Sequence, residues 1–579
     1  MTDTSTSRTA GTRLVIELLR PLRRRLIAAV ASTVVSTAAA LVPPYLAGEV
    51  VNDVVNTGSS SRLVGISIAL AVALGVNAVA SGFESWLIGD VGQRALMDLR
   101  TRIVQKLHVL PMSYYDRASA GGTISRVTND VESLNVLVSG GLNQLISSVL
   151  IVVGTAVVMV VLNWRLALVS LFVFPFLFTV SVYIQNLARP AWRQAANTLA
   201  SVTGYVQEGI AGHRVVRSFA QEPRHVGGFD DVNAVNERTH YRPATLNLLV
   251  APSAELIGFL GIAAVIAYGA HEAIGGAIEV GVVVSFLAYL RQALAPLPQL
   301  AGLFSSFQQG AASLDHIGEI LEQEPDPGQL PGGKAAPRLR GALAFEEVSF
   351  AYEDEKWVLR DIDIRIEPGE KVAIVGESGS GKSTLVKLAV GFYRPTRGRI
   401  AVDGNDLGEF ELRTVREQLG YVAQEPFLFT GTVAENIVWG DAAPDHARDA
   451  ARAVGVLEAL ERLPDGLDTE VGERGERLSI GQRQLVALAR AMARDPQILI
   501  LDEATSNVDV ATEAAVQQGI ERLLEGRTSI VVAHRLSTIR RADRIVVVDG
   551  GRIAESGTPE ELRAAGGAFD RLEREYEGG

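Results

Sequence analysis

Nine consecutive residues, Gly376-Glu377-Ser378-Gly379-Ser380-Gly381-Lys382-Ser383-Thr384, combine three glycines, a lysine and several hydroxyls at a spacing suited to holding phosphate. Glycines let backbone N–H groups wrap an anion, Lys382 neutralises it, and Ser383 offers an oxygen to Mg2+. A second group, Asp502-Glu503, closes the apolar run 498–501. One carboxylate can hold a metal ion and the other can polarise a water for attack on phosphorus. His534, directly after the apolar run 529–533, stands at a third strand end within reach of a terminal phosphate. Between the first two groups lies Leu478-Ser479-Ile480-Gly481-Gln482, leading into RQLVALARAM. That is an amphipathic helix whose N-terminus presents free N–H groups to an anion. The chemistry available is nucleotide binding and phosphoryl transfer to water. The glycine loop alone is shared by GTPases, nucleotide kinases and many ATPases, so its companions must decide between them.

The elements that must position these residues are visible around them. From about residue 341, β-rich runs (KVAIVG, GYVAQ, ILILDE, SIVVAH, RIVVVDG) alternate with amphipathic helices, the pattern of an α/β sheet domain. The rest of the 579 residues is different, and the mean hydropathy of +0.20 with 47% hydrophobic residues is too apolar for an ordinary soluble enzyme. Apolar runs of about twenty residues, enough to cross a bilayer as helix, recur at 26–48, 63–89, 143–162, 166–187, 246–270 and 278–300. Long polar segments that still read as helix follow the second and fourth runs. The short connections carry only Arg62 and Arg165 as basic residues, whereas the long segments and the N-terminus (Arg20, Arg23, Arg24, Arg25) hold most of the Arg and Lys. That asymmetry puts the long loops, the N-terminus and the C-terminal domain in the cytoplasm. No small-residue cleavage site ends a short apolar core, so the run from Leu26 is expected to be a span rather than a signal peptide. The stretch EPDPGQLPGGKAAP breaks any helix. The expected organisation is therefore an all-α transmembrane domain of six helices (1–322), a linker (323–340) and an α/β P-loop ATPase domain (341–579). A net charge of −12 with no basic stripe excludes a nucleic-acid partner, and the absence of cysteine removes thiol and disulfide chemistry.

With these motifs in place the chain resembles the ATP-binding cassette family, and over nearly all its length it is similar to an exporter-type half-transporter. The resemblance implies two cassettes meeting head to tail, each ATP clamped between the glycine loop of one (376–384) and the signature 478–482 of the other. The chain would then work as an obligate dimer, homo- or heterodimeric, with ATP and Mg2+. It further implies that Tyr352 stacks on adenine, and that Gln424 senses Mg2+ and the γ-phosphate, so that Ser383, Gln424 and Asp502 form the metal group. Glu503 would be the general base, His534 would position the phosphate, and Asp509 would link the two sites. The segment Glu470-Val-Gly-Glu-Arg-Gly475 is similar to the loop by which exporter cassettes touch the opposite subunit. Ser113-Tyr-Tyr-Asp116, GGTISRVTNDV and Val215-Val-Arg-Ser-Phe-Ala-Gln-Glu222 resemble the regions around the two coupling helices. The implied activity is ATP-driven export of a hydrophobic or amphipathic drug, lipid or peptide from the plasma membrane, in contact with membrane lipid. Uptake by the same fold, or an ATP-gated channel or regulator, is the alternative; neither a receptor-docking domain nor a lost catalytic glutamate supports it.

The family's usual signature is LSGGQ, and Ile480 here replaces its first glycine. Either the side chain points away harmlessly, or this signature serves a weakened site paired with a different subunit; SNVD in place of the commoner SALD fits the second reading weakly. Glu84, Glu255, Asn77, Gln144 and Arg291 lie in or near the apolar runs, as substrate contacts, as a Glu–Arg pair between helices or at a helix end already beyond the bilayer. Pro43-Pro44 and the prolines at 296 and 298 are expected to bend the first and sixth runs.

Overall fold

The computed structural model describes residues 14, 16–57, 62–329, 332–353, 356–440, 444–502, 510–533 and 539–578. The chain divides into two compact units. One comprises Met1–Val104 with Ile124–Glu322, and the other joins Gln105–Thr123 to Gln323–Gly579.

The first unit is helical. Its elements are α1 (Arg23–Ala40), α2 (Val42–Thr57), α3 (Leu63–Val109), then α4 (Met112–Arg117) in the segment held by the second unit, α5 (Leu142–Leu162), α6 (Trp164–Leu171), α7 (Val173–Ala211), α8 (Glu222–Leu248), α9 (Val250–Ile274), α10 (Val280–Leu294) and α11 (Leu297–Glu322). Val64, Ile68, Val72, Val79 and Phe83 of α3 face outward, which suits a helix solvated by lipid rather than water. Among the described residues five apolar helical stretches, Ile16–Asp53, Leu63–Val109, Asn143–Leu162, Trp164–Ala211 and Glu222–Ile274, are long enough to cross a membrane.

The sixth expected run, 278–300, is interrupted where its prolines were expected to bend it. It is broken at Ala295-Pro296, leaving α10 with 15 residues. At 1.5 Å per residue that is about 22 Å, short of a hydrocarbon core of about 30 Å. Proline lacks the N–H that would continue the ladder, and its ring collides with the preceding turn. The first run is likewise interrupted, at Leu41, immediately before Val42-Pro43-Pro44. These two broken runs pack on each other through α2 and α10. A Cβ on Gly281 would stand 2.0 Å from the Gly48 carbonyl oxygen, and the Gly281 N–H donates to Asn52 Oδ1 at 2.6 Å. Only glycines permit backbones that close.

In the second unit the strands are β1 (Leu343–Ala351), β2 (Trp357–Ile366), β3 (Lys371–Val375), β4 (Arg397–Val402), β5 (Asn405–Asp406), β6 (Leu419–Val422), β7 (Ile498–Asp502), β8 (Thr528–Val532), β9 (Arg544–Asp549) and β10 (Arg552–Gly557). They form an antiparallel sheet ordered β2-β1-β4-β5 and a largely parallel sheet ordered β10-β9-β3-β8-β7-β6. In the parallel sheet alternate residues enter opposite cores. Val372, Ile374, Ile500, Ile530 and Val532 belong to one cluster; Leu499, Leu501 and Val531 belong to a second and Ala373, Val375 and Val547 to a third. Burial on both faces explains why these strands read as continuous apolar runs rather than alternating ones. The helices that matter for the site are α12 (Lys382–Ala389), α13 (Ile480–Met492) and α14 (Val510–Leu524).

Candidate functional site

Parallel strands deliver their carboxyl ends to one edge of a sheet, where ligands of α/β proteins bind. The register aligns Ile374 of β3 with Val532 of β8, and Val532 with Asp502 of β7, while Val422 of β6 pairs with Leu501. The glycine loop leaves β3 right after Val375, and Gln424 follows β6 by two residues, so loop, Asp502 and Gln424 all emerge on this edge. Glu503, Asp509 and His534 lie outside the described residues.

The loop is built for a backbone that L side chains avoid. Gly376, Gly379 and Gly381 have φ of +154°, +82° and +109°. A Cβ at Gly376 would meet the Val548 carbonyl oxygen at 2.2 Å. Lys382, only 6% exposed, donates from Nζ to the carbonyls of Gly376 (2.8 Å) and Glu377 (2.7 Å), tying the loop across itself. Burial holds its ammonium below the ordinary lysine value, and the Asp502 carboxylate pulls it back up. The hydroxyl of buried Ser380 has no hydrogen-bond partner among the described residues, an uncommon state for a buried polar atom and one that phosphate oxygens would relieve. Ser383 and Thr384 sit on the first turn of α12, which packs against β7 and β8.

Tyr352, 42% exposed, follows β1. Its hydroxyl shares a hydrogen bond with Thr384 Oγ1 at 3.1 Å, so Tyr352 is fastened to the helix that follows the glycine loop. Phe350 and Tyr393 meet its ring edge to face, with centroids 4.8 and 5.2 Å away. Lys387 Nζ lies 5.5 Å from the ring centre.

The signature residues lie at the start of α13. Ser479 is its N-cap: Ser479 Oγ accepts from the Gln482 N–H at 3.2 Å while Gln482 Oε1 accepts from the Ser479 N–H at 2.9 Å. Leu478 and Gly481 are buried, and Ile480 is 40% exposed at the first helical position. Arg483 Nη1 donates to the carbonyls of Gly475 (3.2 Å) and Leu478 (2.9 Å), joining the segment 470–475 to the signature.

The profile described as the ABC transporter transmembrane region matches residues 26–297, and that described as ABC transporter matches 359–506. A protein named ATP-dependent lipid A-core flippase from Syntrophus aciditrophicus is 35% identical over 96% of this chain and 93% of its own. The chain belongs to the ABC transporter family. It is a membrane protein carrying an ATP-binding cassette, and an ATPase whose turnover is coupled to transport. A protein named fatty acid ABC transporter ATP-binding/permease protein from Mycobacterium bovis is 37% identical, with 90% of this chain and 83% of that one covered. The solved structure of a bacterial Atm1-family ABC exporter with ATP bound matches with a TM-score of 0.80 at 26% identity, over 96% and 98% of the two chains.

Of the polar residues in the membrane half of this ABC transporter, Glu84 is 5% exposed and accepts from Ser36 Oγ (3.0 Å) and Ser147 Oγ (3.3 Å). No Lys or Arg pairs with it among the described residues, so a Glu–Arg pair at Glu84 is replaced by a hydroxyl-lined carboxyl. Asn77 donates to the Ser36 carbonyl at 2.8 Å and Gln144 to Ser148 Oγ at 3.2 Å, whereas Glu255 and Arg291 are exposed. Sequence reading passed over Lys387 and Tyr393 beside Tyr352; a lysine in the last turn of a helix and an aromatic shortly after it carry no signal of their own. The S-x-x-Q capping box at Ser479 and Gln482 was available in the sequence.

Proposed function

We propose that this ABC transporter exports a hydrophobic or amphipathic molecule, of the lipid, drug or peptide class, from the plasma membrane, with the N-terminus and cassette in the cytoplasm. Two chains would close on ATP, the loop 376–384 of one facing the signature 478–482 of the other. The observation that carries this reading is the single sheet edge holding the glycine loop, Asp502 and Gln424, in one chain with membrane-spanning helices. The names of the flippase and fatty-acid relatives support a lipid-like substrate.

In this reading Tyr352 carries the adenine. The N–H groups of 376–384 and Lys382 hold the phosphates, Glu503 takes the proton of the attacking water, His534 orients the γ-phosphate, and Asp509 links the sites. Ser383, Gln424 and Asp502 would hold Mg2+. They are oxygen donors, the hard set this ion takes, and no cluster of three His, Cys, Asp or Glu forms a closed cage among the described residues. The ion neutralises charge that develops on the phosphates.

A second reading rests on Ile480. Its exposed, β-branched side chain occupies the helix N-terminus where a phosphate of the opposite chain would approach, which suits a heterodimer with one weakened site. Reconstituted vesicles test the function directly. The reading expects ATP-dependent movement of a fluorescent phospholipid or lipophilic dye toward the lumen of inside-out vesicles, lost in Glu503→Gln; ATP-independent movement, or movement unchanged by that substitution, contradicts it.

A further inference from the structure

The short helix α4 lies far upstream of the cassette in sequence, yet it belongs to the same compact unit. Tyr393 Oη donates to Asp116 Oδ2, and Lys387 Nζ stands 3.7 Å from the same oxygen. Both partners flank Tyr352: Tyr393 edge to face at 5.2 Å, and Lys387 over the Tyr352 ring at 5.5 Å and over the Tyr393 ring at 5.8 Å. Tyr352 is in turn fastened to Thr384, and Lys387 rides the same helix as Lys382 and Thr384. One carboxylate therefore fixes the cation and the aromatic edge that set the position of this platform. Burial, with Asp116 second, pushes the Tyr393 phenol above its ordinary value, so it stays a donor to Asp116 at neutral pH.

We propose that Asp116 is a positioning residue for nucleobase binding, acting through Lys387 and Tyr393 on Tyr352, so that a segment leaving the second membrane-spanning helix responds to the base of the bound nucleotide. The proposal rests on Tyr352 being the base platform. Without Asp116 the ammonium of Lys387 turns to water, and the ring loses the cation on its face and the restraint on its edge; the phosphate cradle keeps all of its own groups. By linkage, a base that shifts Tyr352 also changes what Asp116 holds.

The test compares equilibrium binding of ATP with that of inorganic tripolyphosphate, which carries the phosphates without a base, to the full-length protein in detergent. Asp116→Asn is expected to weaken ATP about three- to fivefold, the size of one partly exposed cation–aromatic contact, while leaving tripolyphosphate unchanged. Asp116→Glu should restore most of the loss. Lys387→Met should give the same loss, and the double variant Asp116→Asn/Lys387→Met no further one. Equal weakening of both ligands, no weakening, or additive losses would overturn the proposal. A wild-type protein that binds tripolyphosphate and ATP equally would instead overturn the role of Tyr352 itself.

Discussion

Lys382 does two jobs that a single substitution separates from its neighbours. Its ammonium is buried against the carbonyls of Gly376 and Glu377 and feels Asp502, so it both shapes the loop and supplies the charge that phosphate needs. Lys382→Ala should weaken ATP binding about ten- to a hundredfold, the range for losing charge-assisted hydrogen bonds, as read by equilibrium nucleotide binding. Ile480 makes the opposite case. It is 40% exposed, so its removal opens no buried core, and Ile480→Gly should raise kcat/KM for ATP about two- to tenfold if its side chain hinders a phosphate approaching from a second chain. An unchanged rate would show that the isoleucine is tolerated. At this scale the sequence revealed the glycine loop, because glycines at positive φ leave a spacing that side-chain-bearing residues cannot imitate. The Asp116–Lys387–Tyr393 group was not legible, because it joins distant segments through groups that, taken singly, read as a solvated face.

Helices and strands place these residues, and their boundaries follow local chemistry. The Ser479/Gln482 box starts α13 by satisfying the N–H groups of Ser479 and Gln482, which fixes where the signature stands. In the membrane half, hydrophobic run length revealed the spans, and the prolines at 296 and 298 marked the bend in the sixth run; that this bend is a full break at Ala295-Pro296 was not legible from hydropathy, because proline's missing donor outweighs apolarity there. The Gly48–Gly281 contact was equally hidden, since a glycine's neighbour across a helix pair leaves no trace in one sequence. Gly281→Ala places a methyl 2.0 Å from the Gly48 carbonyl oxygen and should cost about 1–3 kcal/mol of stability, whereas Gly65→Ala, whose Cβ meets nothing within 4 Å, should leave the unfolding temperature unchanged. Thermal unfolding of the two variants in detergent checks both expectations, and equal midpoints would contradict the close packing of α2 on α10.

For the whole molecule, the proposed function makes the glycine loop and the signature separate anion-binding devices in one chain, each to be completed by its complement on a second chain. Composition and motif order made a membrane half fused to a cassette legible; the identity of the second chain was not, because dimer contacts lie outside what one chain's pattern encodes. The central claim is that this chain hydrolyses ATP in a dimer with Glu503 as the base. It is tested most directly by the ATPase rate of the purified full-length protein, wild type against Glu503→Gln, with the oligomer mass measured on the same samples. The account predicts a dimer whose hydrolysis falls at least about a hundredfold in Glu503→Gln, the scale of losing a general base, with ATP binding retained. Near-normal hydrolysis in Glu503→Gln, or full activity from a monomer, would contradict it.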